Sequence, residues 1–366
     1  MKITKRVTIK DIAASAGVST QTVSRVLNNH PDVSQETSKR VKRVIKDTGY
    51  APNILARSLI RGRSHMLGVV AYGLKYYGPS RMITGFERRA AELGYSMFLQ
   101  LLHDPETDDV EFQINSLLAH QVDGIIWAIP DIGNNRAWAH TLNQNFNVPL
   151  VFVSGMEKPT SLFTVGIDNH AIGKIATQHL IDGGANCIGI VTGPLNWWEA
   201  QQRQQGWRDV LRANGQDDKE RLVTVGDWNA KSGEQAFHQL LEQDPHIDAI
   251  FASNDQMACG VLHAAHTQGK QIPEDLSIVG VDNIPEGAHF WPPLTTVRQG
   301  LQEAGVLAVN HIDQLIQQTN ESQNDTDVTV PSISLLQPEL IIRESSRRGT
   351  ALHSENKMKE VILEKS

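Results

Sequence analysis

From Met66 to Val281, short apolar runs alternate with amphipathic stretches, and this alternation limits what the 366-residue chain can fold into more than any other feature. MLGVVA (66–71), SMFLQLL (96–102), GIIWAI (124–129) and PLVFV (149–153) are near-continuous apolar runs, the pattern of strands covered on both faces. Between the first two, Pro79–Leu93 sets Met82, Ile83, Phe86, Ala90 and Leu93 along one side of a helix. The alternation resumes after a gap. It runs through CIGIV (187–191), a helix over 199–213, LVTV (222–225), a helix near 232–242, DAIFA (248–252), a helix over 255–268 and SIVGV (277–281). Strands that alternate with helices imply an α/β body with parallel sheets, and two such series imply two similar subdomains.

The N-terminal part does not follow this pattern, and its charge differs too. The net charge of −7 conceals 13 Lys/Arg against 4 Asp/Glu through residue 65, leaving 21 against 37 over the rest. A basic head on an acidic body implies an anionic polymer as partner for the head alone. No apolar run reaches the roughly 18–20 residues of a membrane helix. The start, MKITKRVTIKDIA, has no uninterrupted apolar core of a secretion signal, so a cytoplasmic location is expected. The two cysteines, Cys187 and Cys259, sit in apolar runs and read as buried thiols in a reducing compartment; no metal-ligand spacing is present.

The head reads as three short helices. Thr8 can cap the first, with Asp11 reaching back to its amide, and Ile9, Ile12, Ala13 and Ala16 then share a face. Gly17 breaks that helix. Ser19 caps a second, Thr20–Leu27, which turns Val23, Val26 and Leu27 inward and leaves Thr20, Gln21, Ser24 and Arg25 outside. A short polar face rich in bidentate donors suits the base edges of a major groove. Ser34 opens a third helix, with Val41, Val44 and Ile45 toward the core, Lys39, Arg40, Lys42, Arg43 and Lys46 toward solvent, and Gly49 at its end. Any small three-helix bundle shares this outline, but the spelling A-x-x-A-G-V-S-x-x-T-V-S-R-V-L is more specific.

Ile9–Leu27 (IKDIAASAGVSTQTVSRVL), then Tyr50-Ala51-Pro52-Asn53, Ala56 and Leu59, closely resemble the lactose/galactose repressor family, and the resemblance continues to about Arg343. It implies a DNA-binding domain over 1–51, a hinge helix and linker over 52–64, a periplasmic-binding-protein-like body over 65–343 that binds effector and dimerises, and a short charged tail over 344–366. In such proteins the second helix enters the major groove. Thr20, Gln21 and Arg25 would then read bases, while Thr8, Ser19, Ser24, Asn28, Thr37 and Tyr50 would hold phosphates. Asn53–Leu59 matches the hinge helix, in which Leu59 is the minor-groove wedge, flanked by Ala56, Arg57 and Arg61. An ordinary helix contact is the competing reading of Leu59.

Ligands of open α/β sheets sit at the carboxyl ends of strands. Several polar or aromatic groups fall there: Gly193-Pro194-Leu195 with Arg203 on the next helix, Gly226-Asp227-Trp228-Asn229-Ala230, Asn254-Asp255 and Asp282. Taken singly, Trp228 reads equally as packing, Asp282 as a helix cap and Asn254 as part of a cap pair. The resemblance implies that Arg203, Asn254 and Asp282 contact sugar hydroxyls, that Trp228 stacks on a sugar ring, and that Pro79 and Met82 form the near wall. It also implies that the chain crosses three times between the subdomains. Trp197 and Trp198 stand next to the expected cleft, and ligand stacking and surface exposure are equal readings of them. Ser154 and Leu301 depart from the family, where an acidic and an aromatic residue are common.

No dinucleotide, P-loop or serine-hydrolase motif appears. His263 and His266 share a helix face without a third ligand, and the acidic cluster Asp104, Glu106, Asp108 and Asp109 suits a helix start. Leu352, Met358, Val361, Ile362 and Leu363 do not sustain heptads, so a homodimer without a tetramerising bundle is expected. The expected function is a transcriptional repressor of carbohydrate-utilisation genes, on palindromic double-stranded DNA, relieved by a sugar effector and needing no cofactor. A sugar-binding protein and a corepressor-dependent, purine-type regulator are the alternatives.

Overall fold

Thr8 and Asp11 open the first helix as a reciprocal pair. The Asp11 amide donates to Thr8 Oγ1 at 3.4 Å, and the Thr8 amide donates to Asp11 Oδ2 at 2.8 Å, which satisfies two otherwise orphaned amides of α1 (Ile9–Ala16). Gly17 closes it in the left-handed conformation at φ +63°. The Thr22 amide donates to Ser19 Oγ at 3.1 Å where α2 (Thr20–Leu27) begins, and Ser34 caps α3 (Gln35–Thr48) through the Thr37 amide at 3.3 Å. Ile12, Ala13, Ala16, Val23, Val26 and Val41 form the buried core of this unit, with Leu27, Val44 and Ile45 only partly covered at its edge. Arg40 is exposed on α3, as expected, and also donates its Nε–H to the Ala16 carbonyl at 3.0 Å, supplying a partner at the end of α1.

The computed structural model describes residues 7–27, 30–50, 63–105, 110–132, 148–153, 163–321 and 333–347. By its internal contacts the chain divides into two units, Met1–Ser64 and His65–Ser366.

The second unit contains two six-stranded sheets. The first uses β1 (Met66–Tyr72), β2 (Ser96–Leu102), β3 (Gly124–Ala128), β4 (Leu150–Val153), β5 (Phe163–Ile167) and β11 (Ile333–Leu336), in the order β11-β5-β4-β3-β1-β2 with every pair parallel. Alternate side chains leave on opposite faces. Val69, Ile126 and Val151 meet Phe86 and Ala90 of α4 (Tyr77–Glu92) and Ala304, Ala308 and Ile312 of α10 (Leu301–Glu321). Val70, Ile125 and Phe152 meet Ile114 and Leu117 of α5 (Val110–Ala119). Helices on both faces explain why these strands read as unbroken apolar runs.

The second sheet orders β12 (Glu339–Ile341), β10 (Thr295–Arg298), β9 (Ser277–Val281), β8 (Ala249–Ala252), β6 (Ile188–Thr192) and β7 (Val223–Val225). It departs from the expected all-parallel arrangement at one edge, where β12 runs antiparallel to β10. It packs with α6 (Asn169–Asp182), α7 (Trp198–Ala213), α8 (Ala230–Gln243) and α9 (Asp255–Thr267). β5, β10, β11, β12, α6 and α10 lie outside the periodic runs named from sequence, because FTVGI and TTVR mix Thr and Gly with their apolar residues and the last two strands are short. The chain crosses between the subdomains three times: from β5 to α6, from β10 to α10, and from β11 to β12.

Helices on one sheet face approach each other through paired glycines. A Cβ on Gly173 would lie 2.1 Å from the Arg203 carbonyl oxygen, and one on Gly206 would lie 2.2 Å from that of His170, so α6 and α7 touch backbone to backbone. Gly85 and Gly305 do the same for α4 and α10, and Gly233 and Gly260 for α8 and α9.

Two expectations need correcting. Cys187 and Cys259 are free but half-buried. His263 and His266, which share a face of α9, are both exposed. The body does not give way to tail at 344: Ser345 and Ser346 are buried, with Ser345 Oγ donating to the Ile278 carbonyl at 2.7 Å and accepting the Thr295 amide at 2.8 Å. Their polarity hides this closure from a reading by hydropathy.

Candidate nucleic-acid interface and ligand cleft

In the head, the buried Val23 and Val26 anchor one side of α2, and the opposite side is left to Thr20, Gln21 and Arg25, all exposed, with Ser24 half-exposed. Ser19, Thr8 and Thr37 lie at the helix starts. Their hydroxyls already take part in local caps: Thr8 Oγ1–H donates to Asp11 Oδ2 at 2.7 Å, and Thr37 Oγ1 accepts from Ser34 at 2.9 Å. Tyr50 is half-buried against the small core. Lys39, Lys42, Arg43 and Lys46 add exposed positive charge along α3. Asn28, and the expected hinge residues Asn53, Ala56, Arg57 and Leu59, lie outside the described residues, as does Ser154.

Between the two sheets of the second unit lies a cleft, open to solvent, whose empty space including that opening is about 820 Å³. Pro79, Met82, Arg203, Trp228, Asn254 and Asp282, the six positions singled out from sequence, all line it. Pro79 and Met82 stand on the first turns of α4, whereas the polar four come from the second subdomain.

Arg203 lies at the centre of the polar side, only 5% exposed. Its Nε donates to Asn169 Oδ1 at 2.8 Å, Nη1 to the Ser253 carbonyl at 2.5 Å, and Nη2 to Gln299 Oε1 at 2.9 Å. Gln299 in turn donates to Asp282 Oδ1. Asn169 and Gln299 belong to two of the three crossings, so one guanidinium ties α7 to both. Neither was found from sequence. Each follows a strand that hydropathy alone does not mark, and the strand-end rule would have reached them had β5 and β10 been legible.

Burial pushes the Asp282 carboxyl up to about 6, against the opposing pull of Arg203 and of the hydrogen bond from Gln299. Asp255, fully buried behind it, is raised well above the carboxylate range by burial first and by the Asp282 charge second. Asp255 Oδ2 accepts the Ile284 amide at 2.8 Å and Oδ1 accepts the Thr296 hydroxyl at 2.5 Å, clamping the turn that carries Asp282. That turn needs a clamp, since Asp282 and Asn283 adopt φ +120° and +54°.

Asn254 is a helix cap that also lines the cleft. Its Oδ1 caps α9 on the Met257 amide at 2.8 Å, while its Nδ2 donates to the Trp228 carbonyl at 2.9 Å and so holds Trp228 at φ +73°. The Trp228 ring packs edge-on to Trp197 with centroids 5.7 Å apart, and Trp197 packs edge-on to Tyr76 of the first subdomain at 5.5 Å. Trp197 is therefore a buried cleft residue, and an isolated bridge to Ile132 ties it to the opposite subdomain. Trp228 Nε1 is buried with no hydrogen-bond partner among the described residues. Leu301 also lines the cleft, beside Glu199, Tyr76 and Tyr77.

Among the described residues, no group of three or more His, Cys, Asp and Glu is placed to hold a metal ion, and no helix is long and apolar enough to cross a membrane. The cleft lies between two sheets at strand ends, and the separate head has an exposed polar helix face. Known proteins combine these parts in the same order.

A family profile described as periplasmic binding proteins and sugar binding domain of LacI family matches residues 76–337, and one described as bacterial regulatory proteins, lacI family, matches residues 8–53. The ribose operon repressor of Escherichia coli (strain K12) is 32% identical over 324 residues, which is 88% of this chain and 97% of the relative. The HTH-type transcriptional repressor PurR of Glaesserella parasuis is 30% identical over 342 residues, 93% of this chain and 98% of that one. Among solved structures, the lac repressor dimer bound to operator and the anti-inducer ONPF superposes with a TM-score of 0.81 at 29% identity, covering 93% of this chain and 99% of the other. With the regulatory head and the periplasmic-binding-protein-like body matched in order along one chain, the protein belongs to the LacI family of DNA-binding transcriptional regulators.

Proposed function

We propose that the protein represses carbohydrate-utilisation genes as a homodimer on a palindromic operator, in the cytoplasm, and releases the operator when a sugar fills the cleft. It acts by binding, without turnover and without a cofactor. Thr20, Gln21 and Arg25 read base edges, and Thr8, Ser19, Ser24, Asn28, Thr37 and Tyr50 set the register on phosphates. Asn53–Leu59 forms the hinge, with Leu59 as the wedge. Arg203, Asn254 and Asp282 hold sugar hydroxyls, Trp228 offers its ring, and Pro79 and Met82 form the apolar wall.

The observation that carries this reading is the Arg203 network. The group best suited to grip a hydroxyl also holds Asn169 and Gln299 at two subdomain crossings. A ligand that draws on Arg203 therefore acts on the segments about which the subdomains turn. Coupling of this kind is on the order of 1–3 kcal/mol per effector and is reciprocal.

Fluorescence anisotropy with a palindromic fragment selected from the genome tests the reading. Arg25→Ala is expected to weaken binding by at least tenfold, and a saccharide that raises the melting temperature is expected to weaken operator binding too. Retention of full affinity by Arg25→Ala and Leu59→Ala would exclude the operator reading. A saccharide that tightens operator binding would establish corepression instead.

A further inference from the structure

We infer that the cleft selects an uncharged, hydroxyl-rich ligand and rejects the phosphorylated or carboxylated form of the same sugar, with Glu199 as the side chain that sets this charge preference. The inference rests on the sugar reading of the cleft and adds the ligand's charge class to it.

Arg203 is the only cationic side chain among the described residues that line the cleft. A phosphate or carboxylate taken out of water needs a cation with donors to spare. Arg203 has few, because its Nε, Nη1 and Nη2 each already donate to a protein oxygen. Its charge is also balanced, since Asp282 and Glu199 both bear on the same guanidinium. An anion entering here would meet two carboxylates, Glu199 and the buried Asp282, whose like charges would repel it.

The helix ends do not offset this. Asp168 caps α6 through the Ala171 amide at 2.8 Å, Asn254 caps α9, and Glu199 occupies the first turn of α7, so the positive ends of these helices already have polar or acidic partners. At the start of α4, Pro79 removes one of the N–H groups that an anion would otherwise use. A sugar hydroxyl fits the same groups well. It donates to a carboxylate oxygen and accepts from a remaining guanidinium N–H or from an indole N–H such as Trp228 Nε1, whereas a dianionic phosphate has no hydrogen to donate.

The test is isothermal titration of the full chain with matched pairs: ribose and ribose 5-phosphate, glucose and glucose 6-phosphate, galactose and galacturonate. For any pair whose neutral member binds, the anionic member is expected to bind at least a hundredfold more weakly. Glu199→Gln should narrow that gap tenfold or more, and Glu199→Asp should restore most of it, a charge-specific pattern that loss of packing would not produce. An anionic member that binds as well as its neutral partner, or a gap unchanged in Glu199→Gln, overturns the inference while leaving the sugar reading intact. If no neutral or anionic saccharide binds at all, the sugar reading itself fails and the inference fails with it.

Discussion

Asp282 shows how far a single residue's environment can set its chemistry. Its carboxyl titrates near 6, above the ordinary value of 3.8, because burial outweighs Arg203 and Gln299. The charged form, which accepts a ligand hydroxyl, therefore prevails above pH 7 and is lost below pH 5. Effector affinity is expected to be flat above pH 7 and to fall by up to about tenfold per unit below pH 6, with Asp282→Asn removing the slope in a titration series. The sign for stability is opposite. A folded pKa raised above the unfolded one contributes stability that is complete below 3.8 and disappears as pH rises through about 6. Gly193 bears on the other half of the site, since a Cβ there would lie 2.0 Å from the Trp228 ring. Gly193→Ala must displace the indole and is expected to weaken effector binding at least tenfold while leaving operator affinity in the absence of effector near the parent value. Trp228 and Asp282 were legible from sequence because each follows an unmistakable strand or loop. Glu199 stands four residues before Arg203, so helix periodicity already sets the two side by side, but an acid in a first turn reads as ordinary dipole chemistry until the fold turns that face to the cleft.

At the scale of elements, caps and periodicity translated directly. The Thr8–Asp11 box, Ser34 and Gly17 act where the letters place them, because a cap is a contact across three residues of local chain. Helix pairing was less open to such a reading. Gly173 and Gly206 look like weak points in α6 and α7, yet they allow backbone contact that a methyl group would prevent. Gly206→Ala adds helix propensity but must push the helices apart, and a net loss of about 1–3 kcal/mol is expected in urea unfolding followed by circular dichroism. Because α7 carries Arg203, effector affinity should fall in the same variant. A stability equal to or above the parent's would show that the close approach is not needed.

At the scale of the molecule, the two units are expected to separate in function. A chain lacking residues 1–64 should bind effector with parental affinity and show no operator binding. The intact protein should lose about 10³-fold or more in operator affinity between 50 and 200 mM salt if it neutralises six or more phosphates, as measured by anisotropy. A shallow salt dependence would mean that the basic head is not the DNA contact. What the amino-acid order determined alone was a set of local choices: the three helices of the head with their caps, the strongly apolar strands and the helices between them, and that the positive charge gathers in the first 65 residues. These follow from interactions within a few residues of chain. What only the tertiary structure decided was the company of Arg203, whose partners Asn169, Ser253 and Gln299 stand 34, 50 and 96 residues away. Such a set of buried hydrogen bonds exists only once the second sheet and its helices have come together, and local periodicity carries no information about which distant polar groups will then share one guanidinium.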